Sequence, residues 1–167
     1  IFCFYSIFPK GIILIVMTEL LRFPNNFLWG VATSAHQIEG QNINSDWWAW
    51  EHSPLRIKKI ESKGLYPGDF QSGKAVDHWN RFTEDIDLMK QLNCTSYRCS
   101  IEWAKIESKD GEWDQDAVDH YRQEFKALRD AGVTLVITLH HFTLPLWAAE
   151  KGGWANKDTV SRFVRFA

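Results

Sequence analysis

The sequence is poor in the residues that several common kinds of protein site require. Its three cysteines cannot all pair with one another and form no Cys-x-x-Cys motif, which favours a reducing compartment, so we expect the cytoplasm. No Gly-rich phosphate loop and no Ser-His-Asp motif are recognisable. These absences argue against a disulfide framework, a nucleotide-binding loop and a serine hydrolase.

An excess of positive charge is also missing. The formal net charge is -2 at pH 7, with both signs scattered along the chain, whereas a nucleic-acid surface needs a basic stripe. Tryptophan, by contrast, is abundant, with nine residues. The large flat face and single N–H of each indole suit packing and stacking on sugar rings. We therefore expect no nucleic-acid partner, and a sugar fits this composition better than a phosphate.

The chain begins with an apolar leader at residues 1–16. Lys10 interrupts the apolar run, no basic segment precedes it, no small-residue cleavage site follows it, and it is too short to span a bilayer. We expect translation to start at Met17, so that residues 17–167 form the folded portion and no membrane is involved. A signal peptide or anchor is the alternative interpretation.

Three short runs predict β-strands, at residues 27–31, 95–103 and 133–139. Apolar residues at helical spacing predict three helices between and after the strands. These lie at residues 77–92, from Asp114 or Asp116 to Gly132, and from Asn156 onward. We interpret residues 32–40 as a loop and residues 41–76 as a long irregular connection with a short helix at 47–52.

The alternation of strands and helices predicts the fold class. It implies parallel strands joined by right-handed crossovers. Three β/α units cannot close a barrel, and a complete (β/α)₈ chain typically needs about 250 residues. The predicted fold is therefore α/β, consisting of the first three β/α units of an incomplete TIM barrel.

Arg98 is the first candidate for a functional residue, because it shares one face of the second strand with Ser100 and Glu102. In a barrel this face is the interior, where a guanidinium needs a carboxylate partner. One interpretation is a structural ion pair with Glu102 or with another strand. The other is an arginine that keeps a catalytic carboxylate ionised. The residues alone leave these two interpretations equally open.

A pair of histidines follows the third strand. We expect His141 to share a face with Leu135 and Ile137 and to point into the barrel, where it can bind a hydroxylated substrate. His140 should face the surrounding helices and be structural. Adjacent strand residues point apart, and no further ligand lies at a suitable spacing, so we predict no metal site.

Gln37 and Glu39 follow the first strand. A glutamine amide can donate and accept hydrogen bonds at once, which suits two neighbouring hydroxyls of a sugar. A loop brace is the alternative interpretation for Gln37. Tryptophans are more often core residues than ligand platforms, and Trp79, on the apolar stripe of its helix, is expected to belong to the core.

Four segments together resemble the amino-terminal third of glycoside hydrolase family 1, and the last two are most similar to its archaeal-type β-glycosidases. They are FLWGVATSAHQIEG (residues 27–40), DHWNRFTEDIDLMKQL (77–92), YRCSIEWAKIE (97–107) and TLHHFTLPLWAAEKGGW (138–154). The resemblance implies a (β/α)₈ barrel of retaining β-glycosidases that use neither metal nor cofactor. Their substrates are small β-glycosides or oligosaccharides.

The resemblance also implies residue roles. Gln37 and His141 match residues that bind the sugar of the cleaved subsite, and Arg98 matches the arginine that contacts the nucleophile carboxylate. Two further residues, Trp29 and Glu39, belong to the same signature as supporting residues. At residue 142 a phenylalanine stands where many members have tryptophan, so Phe142 is a possible supporting residue.

The family's two catalytic glutamates have no counterpart here, because its Asn-Glu-Pro and Glu-Asn-Gly motifs are absent from the sequence. We therefore expect a fragment that is inactive alone. A non-catalytic sugar-binding or interaction protein on a shortened barrel is the alternative, and a phospho-β-glycosidase is a second enzyme interpretation. The preferred sugar, the aglycone and the oligomeric state are not determined by these residues.

Overall fold

A single parallel sheet organises the computed structural model, which describes residues 22–167. Its strands are β1 (Gly30–Ala32), β2 (Ser96–Ser100) and β3 (Thr134–Thr138), in the order β1-β2-β3. Ala32 is aligned with Arg98, and Ser100 with Thr138. The three predicted strands are present, although each is shorter than predicted. The predicted leader and the predicted start at Met17 lie outside the described residues.

Eight α-helices accompany the sheet in the described part of the chain. They are α1 (Ala35–Ile38), α2 (Asp46–Glu51), α3 (Pro54–Glu61), α4 (His78–Gln91), α5 (Trp103–Ile106), α6 (Gln115–Asp130), α7 (Leu146–Glu150) and α8 (Asp158–Phe166). Short 3₁₀ turns lie at Pro67–Phe70 and Gly153–Ala155. Among residues 22–167, no helix combines the length and the apolar composition that crossing a bilayer requires.

The two long crossover helices, α4 and α6, cover one face of the sheet. Buried side chains from β2, α4 and α6, together with one residue just before β3, form the core between the helices and the sheet. They are Ile86, Met89, Tyr97, Cys99, Leu128 and Val133. This core confirms the two helices predicted at residues 77–92 and from Asp114 or Asp116 to Gly132. The opposite face of the sheet carries Arg98, together with exposed side chains such as Val136.

The face assignment of β3 needs correction. We predicted that Leu135 and Ile137 share the inward face with His141, but both pack against the core beneath the helices. The strand ends at Thr138, so the chain turns before the side-chain alternation reaches the histidine pair. His141 nevertheless lies beside Arg98, because of the turn and not because of strand alternation.

The connection at residues 32–76 is more regular than predicted. Its first part contains α1, where we predicted a loop, and α2 confirms the predicted short helix to within one residue. The helix α3 was not predicted. Its start carries two ordinary signals, since Ser53 Oγ accepts a hydrogen bond from the N–H of Arg56 at 3.4 Å and Pro54 occupies the first turn.

Candidate active site

Arg98 and His141 meet at the carboxyl end of the sheet. The half-buried guanidinium of Arg98 donates from Nη1 to Nδ1 of His141 at 3.3 Å. A guanidinium can only donate, so Nδ1 accepts and the ring proton of His141 lies on Nε2. This leaves an N–H on the far side of the ring. Within residues 22–167, no carboxylate forms an ion pair with Arg98.

The predicted alternative of an Arg98–Glu102 ion pair is wrong. Glu102 lies beyond the end of β2 and caps α5, where its Oε1 accepts from the N–H of Ala104 at 3.2 Å. Its Oε2 accepts from Thr143 Oγ1 at 2.9 Å. Burial, with a contribution from the nearby Glu39, raises the pKa of Glu102 to about 7. The carboxylate that Arg98 requires is therefore not Glu102.

Gln37 lies in α1, at the carboxyl end of the neighbouring strand. The N–H of Ala35 donates to Ser100 Oγ at 2.7 Å, which fixes the start of this short helix against the end of β2. Ser34 Oγ donates to Gln37 Oε1 at 2.6 Å. Gln37 itself is exposed, and its amide nitrogen has no hydrogen-bond partner among the described residues. The amide can therefore donate to a ligand.

Glu39 is buried behind this edge of the sheet. Its Oε1 accepts from the hydroxyl of Tyr121 at 2.7 Å, and its Oε2 lies 3.1 Å from Nζ of Lys105. Burial raises the pKa of Glu39, while the positive charge of Lys105 opposes that rise. These contacts tie the chain after α1 to α5 and α6. Glu39 does not contact Arg98 or His141, and its role as a supporting residue stays a prediction.

Trp29 does not lie near the candidate site residues Arg98 and His141. It precedes β1, and its backbone N–H donates to Thr95 Oγ1 at 2.9 Å, just before β2 begins. Its ring packs on Phe23 and Phe27, with centroid distances of 4.6 and 4.7 Å. Trp29 therefore lies at the amino-terminal edge of the sheet, opposite the edge that carries Arg98 and His141.

Phe142 lies beside His141 and packs against other aromatic rings. Its ring centroid lies 4.9 Å from that of Trp47 and 5.8 Å from that of His36. His36 is buried, with Nε2 3.3 Å from Glu51 Oε1. Sequence reasoning missed His36, because its partners come from the connection that we predicted to be irregular.

His140 takes the structural position that was predicted for it. Its Nε2 accepts from the indole N–H of Trp154 at 3.3 Å, and its ring also lies near Phe163 of α8. Burial lowers the pKa of His140. The described residues hold no group of three or more histidine, cysteine, aspartate or glutamate side chains arranged for a metal ion.

The fold and the site together define an α/β protein with a polar and aromatic site at the carboxyl ends of parallel strands, where enzymes of this class bind their ligands. Comparison with known proteins narrows this class to one family. The chain belongs to glycosyl hydrolase family 1, whose model matches residues 20–167.

Curated relatives and solved structures support the same family membership. β-Glucosidase A of Acetivibrio thermocellus is 37% identical over 154 residues, which cover 88% of this chain and 32% of that protein. β-Glucosidase A of Thermotoga maritima is 35% identical over 152 residues, which cover 87% and 32%. The structure of a β-glycosidase from Pyrococcus horikoshii is similar with a TM-score of 0.76 at 39% identity, covering 87% and 32%. The chain thus spans about a third of the length of these relatives.

Proposed function

We propose that this chain is the amino-terminal third of a retaining β-glycosidase that hydrolyses terminal, non-reducing β-D-glycosyl residues. The family membership supports glycoside chemistry, and the two β-glucosidase relatives make a β-glucoside the first substrate to test. The observation that carries this proposal is that Arg98 has no carboxylate partner among the described residues.

Arg98 is a half-buried cation beside His141, and no described carboxylate neutralises it. Burying an arginine without an anion is costly. A carboxylate supplied by another part of a longer protein would remove this cost. In return, the guanidinium would lower the pKa of that carboxylate and keep it ionised, as a nucleophile requires.

Gln37 and His141 are proposed to bind the sugar. The amide nitrogen of Gln37 and the Nε2–H of His141 are donors without a partner among the described residues. Hydroxyl groups accept such donors, and the exposed ring of Phe142 offers an apolar face beside them. This combination of polar donors and an aromatic wall suits a pyranose ring.

The chemical step needs two carboxyl groups about 5 to 5.5 Å apart, one as the nucleophile and the other as acid and then base. We propose that both come from residues outside this chain, since neither family motif occurs in it. Arg98, Gln37 and His141 then hold the nucleophile and the sugar, and no metal takes part.

The stereochemistry of hydrolysis tests this proposal. The experiment uses the longer protein that results when translation continues past Ala167. This protein is incubated with a nitrophenyl β-D-glucoside, and proton NMR identifies the glucose anomer that is released first. A double displacement predicts that β-glucose appears first and only later equilibrates with its α-anomer. If α-glucose appears first, the reaction is inverting, and the role given to Arg98 fails with it.

A further inference from the structure

A second segment of the chain holds the turn that carries His141. The carboxylate of Asp46, the first residue of α2, accepts the N–H of Leu144 at Oδ1 with a distance of 2.9 Å. The N–H of Asp46 donates in return to the carbonyl oxygen of Leu144, also at 2.9 Å. The same Oδ1 accepts the N–H of Trp47 at 2.8 Å, which fixes the orientation of the carboxylate.

The residues beside Asp46 extend this contact into a short paired segment. The N–H of Leu146 donates to the carbonyl oxygen of Asn44 at 2.7 Å, and Ser45 forms an isolated antiparallel bridge with Pro145. Ser45 is fully buried, and its hydroxyl donates to the carbonyl oxygen of Asn42 at 2.9 Å. We call residues 44–46 the brace. The brace is itself held in place, so it can act as a fixed support.

The turn at residues 141–143 needs such a support. Phe142 has a φ of 57°, in the left-handed region that is unfavourable for a phenylalanine. A residue in this conformation is strained, and it persists only when its surroundings impose the conformation. The hydrogen bond from Thr143 to Glu102 holds one side of the turn, and the brace holds the other through Leu144.

We propose that Asp46 is a positioning residue for sugar binding. It makes no contact with Arg98 or His141, but it sets the turn that aims Nε2 of His141 into the site. The inference rests on the proposed function, because its effect is measured on a glycoside. It extends the site to a residue almost a hundred positions away from the turn it supports.

The test is a double-mutant cycle in the protein translated onward from Ala167. Asp46→Ala leaves two N–H groups without an acceptor, and we expect kcat/KM for a nitrophenyl β-glucoside to fall about tenfold. Asp46→Asn keeps an acceptor oxygen and should restore most of this loss. Asp69→Ala, an exposed aspartate in the 3₁₀ turn, is the matched control and should leave kcat/KM unchanged.

Repeating Asp46→Ala in a protein that already carries His141→Ala shows whether Asp46 acts by positioning His141 or has a general structural role. If Asp46 acts through His141, then Asp46→Ala should cost less than about twofold once the imidazole is gone. An equal tenfold cost in both backgrounds overturns the inference, while a wild-type protein without activity overturns the proposed function instead. If Asp46→Ala does not fold, Asp46→Ser takes its place in the double-mutant cycle, because it weakens the same hydrogen bonds.

Discussion

At the scale of single residues, Arg98 matters most for the charge balance of the site. It lies in the middle of β2, and its one described side-chain hydrogen bond is to Nδ1 of His141. An imidazole accepts one hydrogen bond but supplies no negative charge. The balance of charge at this position is therefore incomplete within residues 22–167, which is why we assign the missing anion to the catalytic nucleophile.

Replacing Arg98 tests this assignment in the protein translated onward from Ala167. Arg98→Met should lower kcat/KM for a β-glucoside about a hundredfold or more. The substitution should also move the acidic limb of the pH profile of kcat/KM to higher pH. The reason is that loss of the positive charge raises the pKa of the nucleophile, which must be ionised to react.

The matched control for this experiment is Arg122→Met. Arg122 forms an exposed ion pair with Asp119 on α6, far from the sheet edge. Its loss should change neither kcat/KM nor the pH profile. An acidic limb that stays in place after Arg98→Met would show that Arg98 does not face the nucleophile.

At the scale of elements, a buried histidine joins the two long crossover helices. His78, the first residue of α4, has Nδ1 2.5 Å from Asp85 Oδ2 and Nε2 3.1 Å from Glu124 Oε1 on α6. Burial acts to lower the pKa of His78, but the hydrogen bonds to Glu124 and Asp85 outweigh it, so the pKa is raised. Both ring nitrogens can donate together only in the charged imidazolium.

His78 therefore predicts a dependence of stability on pH. Because its pKa in the folded state lies above the unfolded value of about 6.5, its contribution is fully present below that value. The contribution is lost as the pH rises through the folded pKa. His78→Leu leaves Glu124 buried without its partner, which should lower the free energy of unfolding by about 3 kcal/mol at pH 6.

Urea unfolding of the longer protein that continues past Ala167, followed by tryptophan fluorescence and repeated from pH 5.5 to 8.5, measures both effects. The difference between the wild type and His78→Leu should shrink as the pH rises. Lys90→Gln in the same helix removes an exposed ion pair with Asp87 and should change little at any pH. A difference that grows with pH would contradict the assignment of a charged His78.

How much the sequence could predict depends on how local each signal is. The two crossover helices follow from apolar spacing that includes Ile86 and Met89, because that pattern lies within one element. The helix α3 was missed, although Ser53 and Pro54 mark its start, because glycines and prolines nearby obscured any period. Helices of this kind can be predicted from neighbouring residues when the capping residues are taken into account.

Contacts between distant segments could not be predicted in this way. Nothing in the spacing of Glu102 indicates that it caps α5 and receives Thr143 in place of pairing with Arg98. The argument that placed His141 by strand alternation was wrong, since a turn after β3 brings it beside Arg98. The strand pattern made Arg98, His141 and Gln37 candidates, whereas their particular roles came from the family resemblance and stay predictions.

At the scale of the whole molecule, the described chain presents surfaces that fit further β/α units. Val136 is 50% exposed on the sheet face opposite the helices, and Val164 on α8 is 69% exposed. No strand among residues 22–167 pairs with the outer edge of β1 or of β3. Exposed strand edges promote association between chains, so we expect the 167-residue chain alone to aggregate.

The measurement that tests the central claim most directly is the rate of nitrophenol release from nitrophenyl β-D-glucoside. It should be made side by side for the purified 167-residue chain and for the protein translated onward from Ala167. The account predicts steady release by the longer protein and none by the chain alone, since both catalytic carboxylates lie outside it. Steady release by the 167-residue chain, or an inactive longer protein, would contradict the account.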